Sequence, residues 1–152
     1  MLKDILAITG EPGLYKLVSK SSKGVIVENI ETGRRMPFFA AAKISALEDI
    51  AIFTDEEDMP LKDVLKAIYD KENGGAAIDH KSSKEDLIEY FSEVVPNYDE
   101  DRVYPNHIKK VINWYNILHK HDMLDFSEEE KEEENKNQEN NEEETNSSEK
   151  ED

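Results

Sequence analysis

The sequence predicts an α+β fold: a small, strongly bent antiparallel sheet first, helices after it, and an acidic tail at the end. Three observations carry that prediction. Between Gly13 and Thr54 short apolar-polar runs are broken by turn residues. From Leu61 to Leu118 apolar residues recur at helical spacing, and from Ser127 onward no aliphatic or aromatic side chain occurs.

Leu2, Ile5, Leu6 and Ile8 suit either one helical turn or a first strand, and the run is too short for periodicity to choose. Gly10-Glu11-Pro12-Gly13 turns the chain, because Pro12 fixes φ and glycine accepts angles that other residues resist. Leu14–Ser19 reads as a strand with Tyr15 and Leu17 on one face and Lys16 on the other. After the polar turn Lys20–Gly24, the β-branched run Val25–Ile30 is a strand. Glu31-Thr32-Gly33 then returns the chain through Arg34–Phe38, which makes the clearest hairpin. Phe39–Lys43 is mixed, with alanines favouring helix and phenylalanine favouring strand. Ile44–Asp49 is expected to turn and to deliver Ile50–Thr54 as the final strand. Four or five short strands within about 50 residues predict a small SH3-like barrel, which removes exposed sheet edges.

The carboxylates of Asp55–Asp58, just before Pro60, suit the positive end of a helix. Leu61, Val64, Leu65 and Ile68 fall at i, i+3, i+4 and i+7, one apolar stripe, and Asn73-Gly74-Gly75 ends that helix. Ala76–Lys81 resembles a linker. Ser82 with Glu85 forms a capping-box pattern for a second helix striped by Leu87, Ile88, Phe91, Val94 and Val95, and Pro96 stops it. After the acidic loop Asn97–Tyr104, Pro105 opens a third helix whose stripe is Ile108, Val111, Ile112, Tyr115 and Leu118, widened by Trp114 and Ile117. Met123, Leu124 and Phe126 are expected to fold back on the helix pair. The predicted division is residues 1–73 as a barrel with its appended helix, 74–81 as linker, 82–126 as a helical domain, and 127–152 as a disordered tail.

Charge is unevenly spread. The chain has 152 residues with 36 acidic and 19 basic side chains, a net of −17. Residues 127–152 hold 13 acidic and 3 basic residues, a net of −10, which leaves −7 for residues 1–126. A segment without apolar side chains cannot offset the entropy lost on ordering, hence the expectation of disorder. The absence of cysteine excludes disulfides, thiolate metal sites and a cysteine nucleophile. The N-terminal apolar run is broken by Asp4, and no stretch has the length of a secretory core or a membrane span. A cytoplasmic protein without membrane contact is expected.

Catalytic signals are sparse. His119 and His121 stand two apart, a spacing that turns them to different faces of a helix, and no converging third ligand accompanies His80, His107 or this pair. Imidazoles near a helix C-terminus meet its negative end, which accounts for them without a metal. Asp55–Asp58 and Asp99–Asp101 lack the alternating ligand-and-glycine pattern of a calcium loop. No phosphate-binding, dinucleotide, nucleophile-elbow or zinc-protease motif occurs. No catalytic residue, metal or cofactor is therefore assigned.

The binding candidates are Arg34 and Arg35 at a hairpin tip, with Tyr15 and Phe38 nearby. Residues 1–54 carry 7 basic against 6 acidic residues, so this half could offer phosphate contacts and a stacking ring. Cations on strands and turns also serve as ordinary edge protection. Trp114 and Tyr115 are adjacent and cannot share one narrow seam, so one joins the core and the other lies near the domain junction or a partner.

The segments PGLYKLVSKS and LIEYFSEVVPNYDEDRVYPNHIKKVINWYN resemble a small bacterial family of uncharacterised two-domain proteins. The resemblance spans most of residues 1–126 and excludes the tail. It implies an N-terminal SH3-like barrel domain and a C-terminal helical domain, both of unknown function, and carries over no active residue. The expected role is a non-enzymatic interaction or adaptor module binding a protein partner. The alternative is an RNA- or DNA-associated accessory protein using the basic face of the barrel; a small enzyme ranks last.

Overall fold

The polar turn ahead of Val25 and the Asn29–Gly33 turn set the geometry of the first half. The computed structural model describes residues 1–39 and 42–126. The expected disordered tail, 127–152, lies outside the described residues, as do Ala40 and Ala41. Five strands form one antiparallel sheet: β1 (Ile5–Ile8), β2 (Tyr15–Ser21), β3 (Gly24–Asn29), β4 (Arg35–Phe39) and β5 (Ile44–Ala46), in the order β4-β3-β2-β1-β5. Between β3 and β4, the Asn29 side chain accepts from the amides of Glu31 and Thr32 at 2.9 and 3.0 Å, a turn closed by the main-chain bond Asn29 N to Arg34 O. Gly33, at φ 73, takes the left-handed angle that this turn needs.

Register fixes the faces. Leu17 lies opposite Val27, Val27 opposite Met36 and Val25 opposite Phe38. The inner face therefore gathers Leu6, Ile8, Tyr15 and Val27 with Leu17, Val25, Met36, Phe38, Ile44 and Ala46 around them. A bulge between Leu17 and Ser19 inserts Val18 and bends β2. Gly24 has no alternative at its place: a Cβ there would stand 2.2 Å from Phe38 O.

Two expectations are corrected. The first is the final strand. Ile44–Ala46 pairs with β1, whereas the run Ile50–Thr54 contributes a separate short strand, β6 (Ala51–Ile52), paired with β7 (Met59–Pro60). A 3₁₀ turn, Leu47–Asp49, separates the two. The second is the closed barrel. β4 and β5 occupy opposite edges without a ladder between them among the described residues. The run expected to close the seam pairs instead with β7 at Ala51–Ile52 and with the 97–99 segment at Phe53–Thr54, and β5 has only three residues. What stands is a bent, open five-stranded sheet with three helices.

The helices are α1 (Leu61–Lys71), α2 (Lys84–Val94) and α3 (Pro105–Lys120). Leu61, Val64, Leu65 and Ile68 are buried along α1 as the spacing requires. Asp55–Asp58 lie in the β6–β7 turn instead of at the helix start, and Asp63 is the acidic residue of the first turn of α1. The cap of α2 is Ser83, one residue later than Ser82; its hydroxyl accepts from Asp86 N at 3.2 Å. Along α3, Ile108, Val111, Ile112, Tyr115, Ile117 and Leu118 are buried.

The segment after α1 is fastened to α3 by side chains. Asn116 accepts from Ala77 N and donates to Ile78 O, both at 2.9 Å. Tyr115 OH donates to Gly75 O at 2.7 Å, and His119 Nε2 lies 3.1 Å from Gly74 O. A side-chain amide that matches one donor and one acceptor of the backbone acts as a strand partner would. From Leu2 to Met123 the chain forms one compact unit.

Candidate functional site

Two hollows meet on the outer side of α3. The first, about 210 Å³, lies between α3 and the turn Thr9–Gly13. The second, about 260 Å³, is lined by Ile50, Phe53, Val103, Val111 and Trp114, with Arg102, His107 and Lys110 at its margin. Ile50, Lys110 and Trp114 border both, so the two form one groove with the indole at its centre. Trp114 is half-buried. Its floor strand is β6, which α1 and β7 hold from behind.

The apolar lining follows from local sequence. Phe53 is 38% exposed, held under the Arg102 guanidinium 4.1 Å above its ring centroid. Arg102 in turn donates to Asp99 at 2.9 Å, an interaction that keeps the Asp99 carboxyl below the usual carboxylate range. His107 Nδ1 accepts from Tyr104 N at 3.1 Å and caps α3. Lys110 is exposed and has no ion pair among the described residues. A free ammonium beside an indole and a strand edge can hold a carboxylate, and the apolar wall can hold a side chain next to it.

Of the sequence candidates, Trp114 lies in this groove and the other four lie elsewhere. Tyr15 is 2% exposed and its ring packs edge-on against Phe38, centroids 6.0 Å apart at 70°, on the inner face of the sheet. That burial corrects the expectation of Tyr15 as a stacking surface. Phe38 is half-buried in the same cluster. Arg34 is exposed at the hairpin, and Arg35 sits 3.6 Å from Glu28 across the β3–β4 pair. Of the two adjacent aromatics, Tyr115 joins the core and Trp114 the groove, as their positions on neighbouring faces require. Burial, reinforced by the negative charge of Glu72, pushes the Tyr115 phenol up to about 12.

Ile50, Phe53, Arg102 and Lys110 are not among the residues the sequence singles out, and His107 is weighed there only as a metal ligand. A signal for part of the set was present: His107, Lys110, Val111 and Trp114 stand at i, i+3, i+4 and i+7, a second stripe beside the buried one. Among the described residues no group of three or more His, Cys, Asp or Glu side chains converges, and no helix is long and apolar enough to cross a membrane.

Residues 2–47 match the family described as Domain of unknown function DUF5606, and residues 50–118 match that described as Domain of unknown function DUF6852. A solution NMR structure of a protein from Bacteroides vulgatus, determined by a structural genomics consortium, is 48% identical. It matches 83% of this chain and 91% of its own, with a TM-score of 0.69. The chain belongs to the bacterial family represented by that protein. Among curated proteins none matches.

Proposed function

We propose that this protein is a non-enzymatic interaction module whose groove, centred on Trp114, takes a segment of a protein partner. One observation carries the reading: a half-buried tryptophan shared by two adjoining hollows, beside Lys110, which has no ion pair among the described residues. Aromatic anchors with a polar margin are the usual composition of recognition surfaces. The bent sheet fits an SH3-like barrel left open along one seam, since its fifth strand returns to pair with the first and β2 is bulged. Solvent exposure of Arg34 supports a second reading, phosphate contact with RNA or DNA at the hairpin, which the burial of Tyr15 disfavours. The cytoplasm is the compartment proposed.

The test is affinity capture from lysate of the native cell by the wild-type protein and by Trp114→Ala. A partner lost with Trp114→Ala, then reconstituted from purified components with a change in Trp114 fluorescence, is the expected result. Capture that is equal in the two proteins overturns the assignment of the groove. Capture of RNA or DNA lost with Arg34→Ala and kept with Trp114→Ala would favour the second reading.

A further inference from the structure

The backbone on the floor of the groove has an unfinished hydrogen-bond ladder. Leu61 N donates to Ile50 O at 2.9 Å, and Ala51 and Ile52 face Pro60 and Met59 in register. Counting along that antiparallel pair, Ile50 and Ile52 direct their main-chain groups toward β7 and Ala51 directs its N–H and C=O to the other side. On that other side the strand is paired further along: Asp55 N donates to Asn97 O at 3.0 Å, and Asp99 N donates to Phe53 O at 2.9 Å. There the pairing stops, because the chain leaves at Asp99 through the turn to Arg102. The next position on the edge is Ala51, which is exposed and lines the apolar hollow. Its amide and carbonyl have no partner on that side among the described residues.

We propose that the groove binds an extended segment of a partner protein that alternates acidic and apolar residues and continues this ladder at Ala51. The inference rests on the interaction reading above and specifies its mode. An incoming strand would form the rung that the 97–99 segment leaves open, with main-chain bonds to Ala51 N and O. Its apolar side chain would lie against Trp114, Ile50 and Val111, the carbon surface that lines the hollow. Charge selects the acidic partner. Lys110 borders this hollow without an ion pair among the described residues, and no carboxylate stands in the lining, whereas the Arg102 charge is already shared with Asp99. An ammonium so placed beside the apolar wall favours an anionic side chain there over a cationic one.

Each part can be removed separately. The sequence holds one tryptophan, so fluorescence of Trp114 reports the groove without a label. The probes are capped eight-residue peptides: one alternates valine and glutamate, a second has lysine for glutamate, and a third is the first with all its backbone amides methylated. Ala51→Pro removes a donor that has no partner among the described residues but also fixes φ, so the methylated peptide, tested on the unchanged protein, separates loss of the bond from a shift of the strand. Ile50 already sits at φ −83 and ψ 137, the extended region that a residue before proline requires.

The valine-glutamate peptide is expected to shift Trp114 fluorescence in a saturable way. Ala51→Pro and the methylated peptide should each weaken binding about fivefold, the effect of one lost hydrogen bond. Lys110→Glu should weaken it about fivefold as well, and the lysine peptide should show no saturation. If the acidic peptide binds but Ala51→Pro and methylation change nothing, strand pairing is overturned and the interaction reading stands. If the lysine peptide binds equally, the acidic specificity is overturned. If no peptide binds while a Trp114-dependent partner is captured from lysate, this inference fails alone; if neither occurs, both fail.

Discussion

Replacing Asn116 with leucine tests how the chain after α1 is held. The amide of Asn116 supplies one acceptor and one donor to consecutive backbone groups, Ala77 N and Ile78 O, each at 2.9 Å. Leucine has similar volume but neither polar atom, so both bonds go at once. Ala77 borders an open hollow of about 570 Å³ beside His80 and His119, and Ile78 is half-buried, so water can reach this segment and the full cost of a buried orphan does not apply. At about 1 kcal/mol net for each neutral bond, the loss is about 2 kcal/mol. For a folded unit of this size that corresponds to a fall in Tm of roughly 6–10 °C. Hydrogen exchange adds a local readout: the Ala77 amide should lose protection in Asn116→Leu and keep it in Asn116→Asp, whose carboxylate still accepts. A Tm within about 2 °C of wild type, with Ala77 protection unchanged, would refute the reasoning.

Two further outcomes follow from particular atoms. Gly24→Ala places a methyl 2.2 Å from Phe38 O and 2.9 Å from Phe39 Cα, both backbone, so β3 and β4 must separate. A loss of about 2–3 kcal/mol in urea unfolding is expected, and an unchanged midpoint would show that the hairpin yields without cost. Alkaline pH tests Tyr115, whose phenol is pushed up to about 12 by burial first and by the charge of Glu72 second. The unfolded phenol ionises first, near pH 10, so above that pH the native state binds more protons and stability falls as pH rises. Roughly 1 kcal/mol from Tyr115 should go between pH 9 and pH 11, and Tyr115→Phe should lessen the slope without removing it, because burial also raises the Tyr90 phenol; an unaltered slope would assign the whole loss to other groups.

Much of the architecture was legible because local chemistry and tertiary packing agree there. The β3–β4 hairpin has β-branched strands and an Asn-to-Gly turn, and each helix buries the stripe that its spacing selects. The seam of the sheet was illegible for a definite reason. Ile44-Ser45-Ala46 carries weak strand preference, yet it pairs with β1 because Ala7 and Ile8 offer an open edge to it. Ile50–Thr54 has the stronger preference and is drawn to Met59–Pro60 instead. Propensity orders such segments by local fitness and says nothing of which edge remains unpaired. The clamp by Asn116 was equally hidden, since an asparagine on a helix face looks solvated until the segment beside it is placed. At the groove, Trp114 stood out by residue type alone, whereas the floor strand required knowledge of pairing.

The groove also bears on why the two parts occur in one chain. The matched segments meet between residues 47 and 50, and the groove draws from both sides of that junction. Thr9–Gly13 and Ser45 come from the sheet, while β6, Arg102, Lys110 and Trp114 come from the helical part. Leu47, fully buried, ends the first segment and begins the 3₁₀ turn that packs on both β1 and α1. Ile50 follows directly and borders both hollows. The first hollow is thus walled by both parts, whereas the second is lined by residues of the helical part alone. Each part alone has a core of the size at which folding is marginal. Fusion then supplies stability and, at the line where the parts join, the first hollow, whose two walls neither part holds by itself.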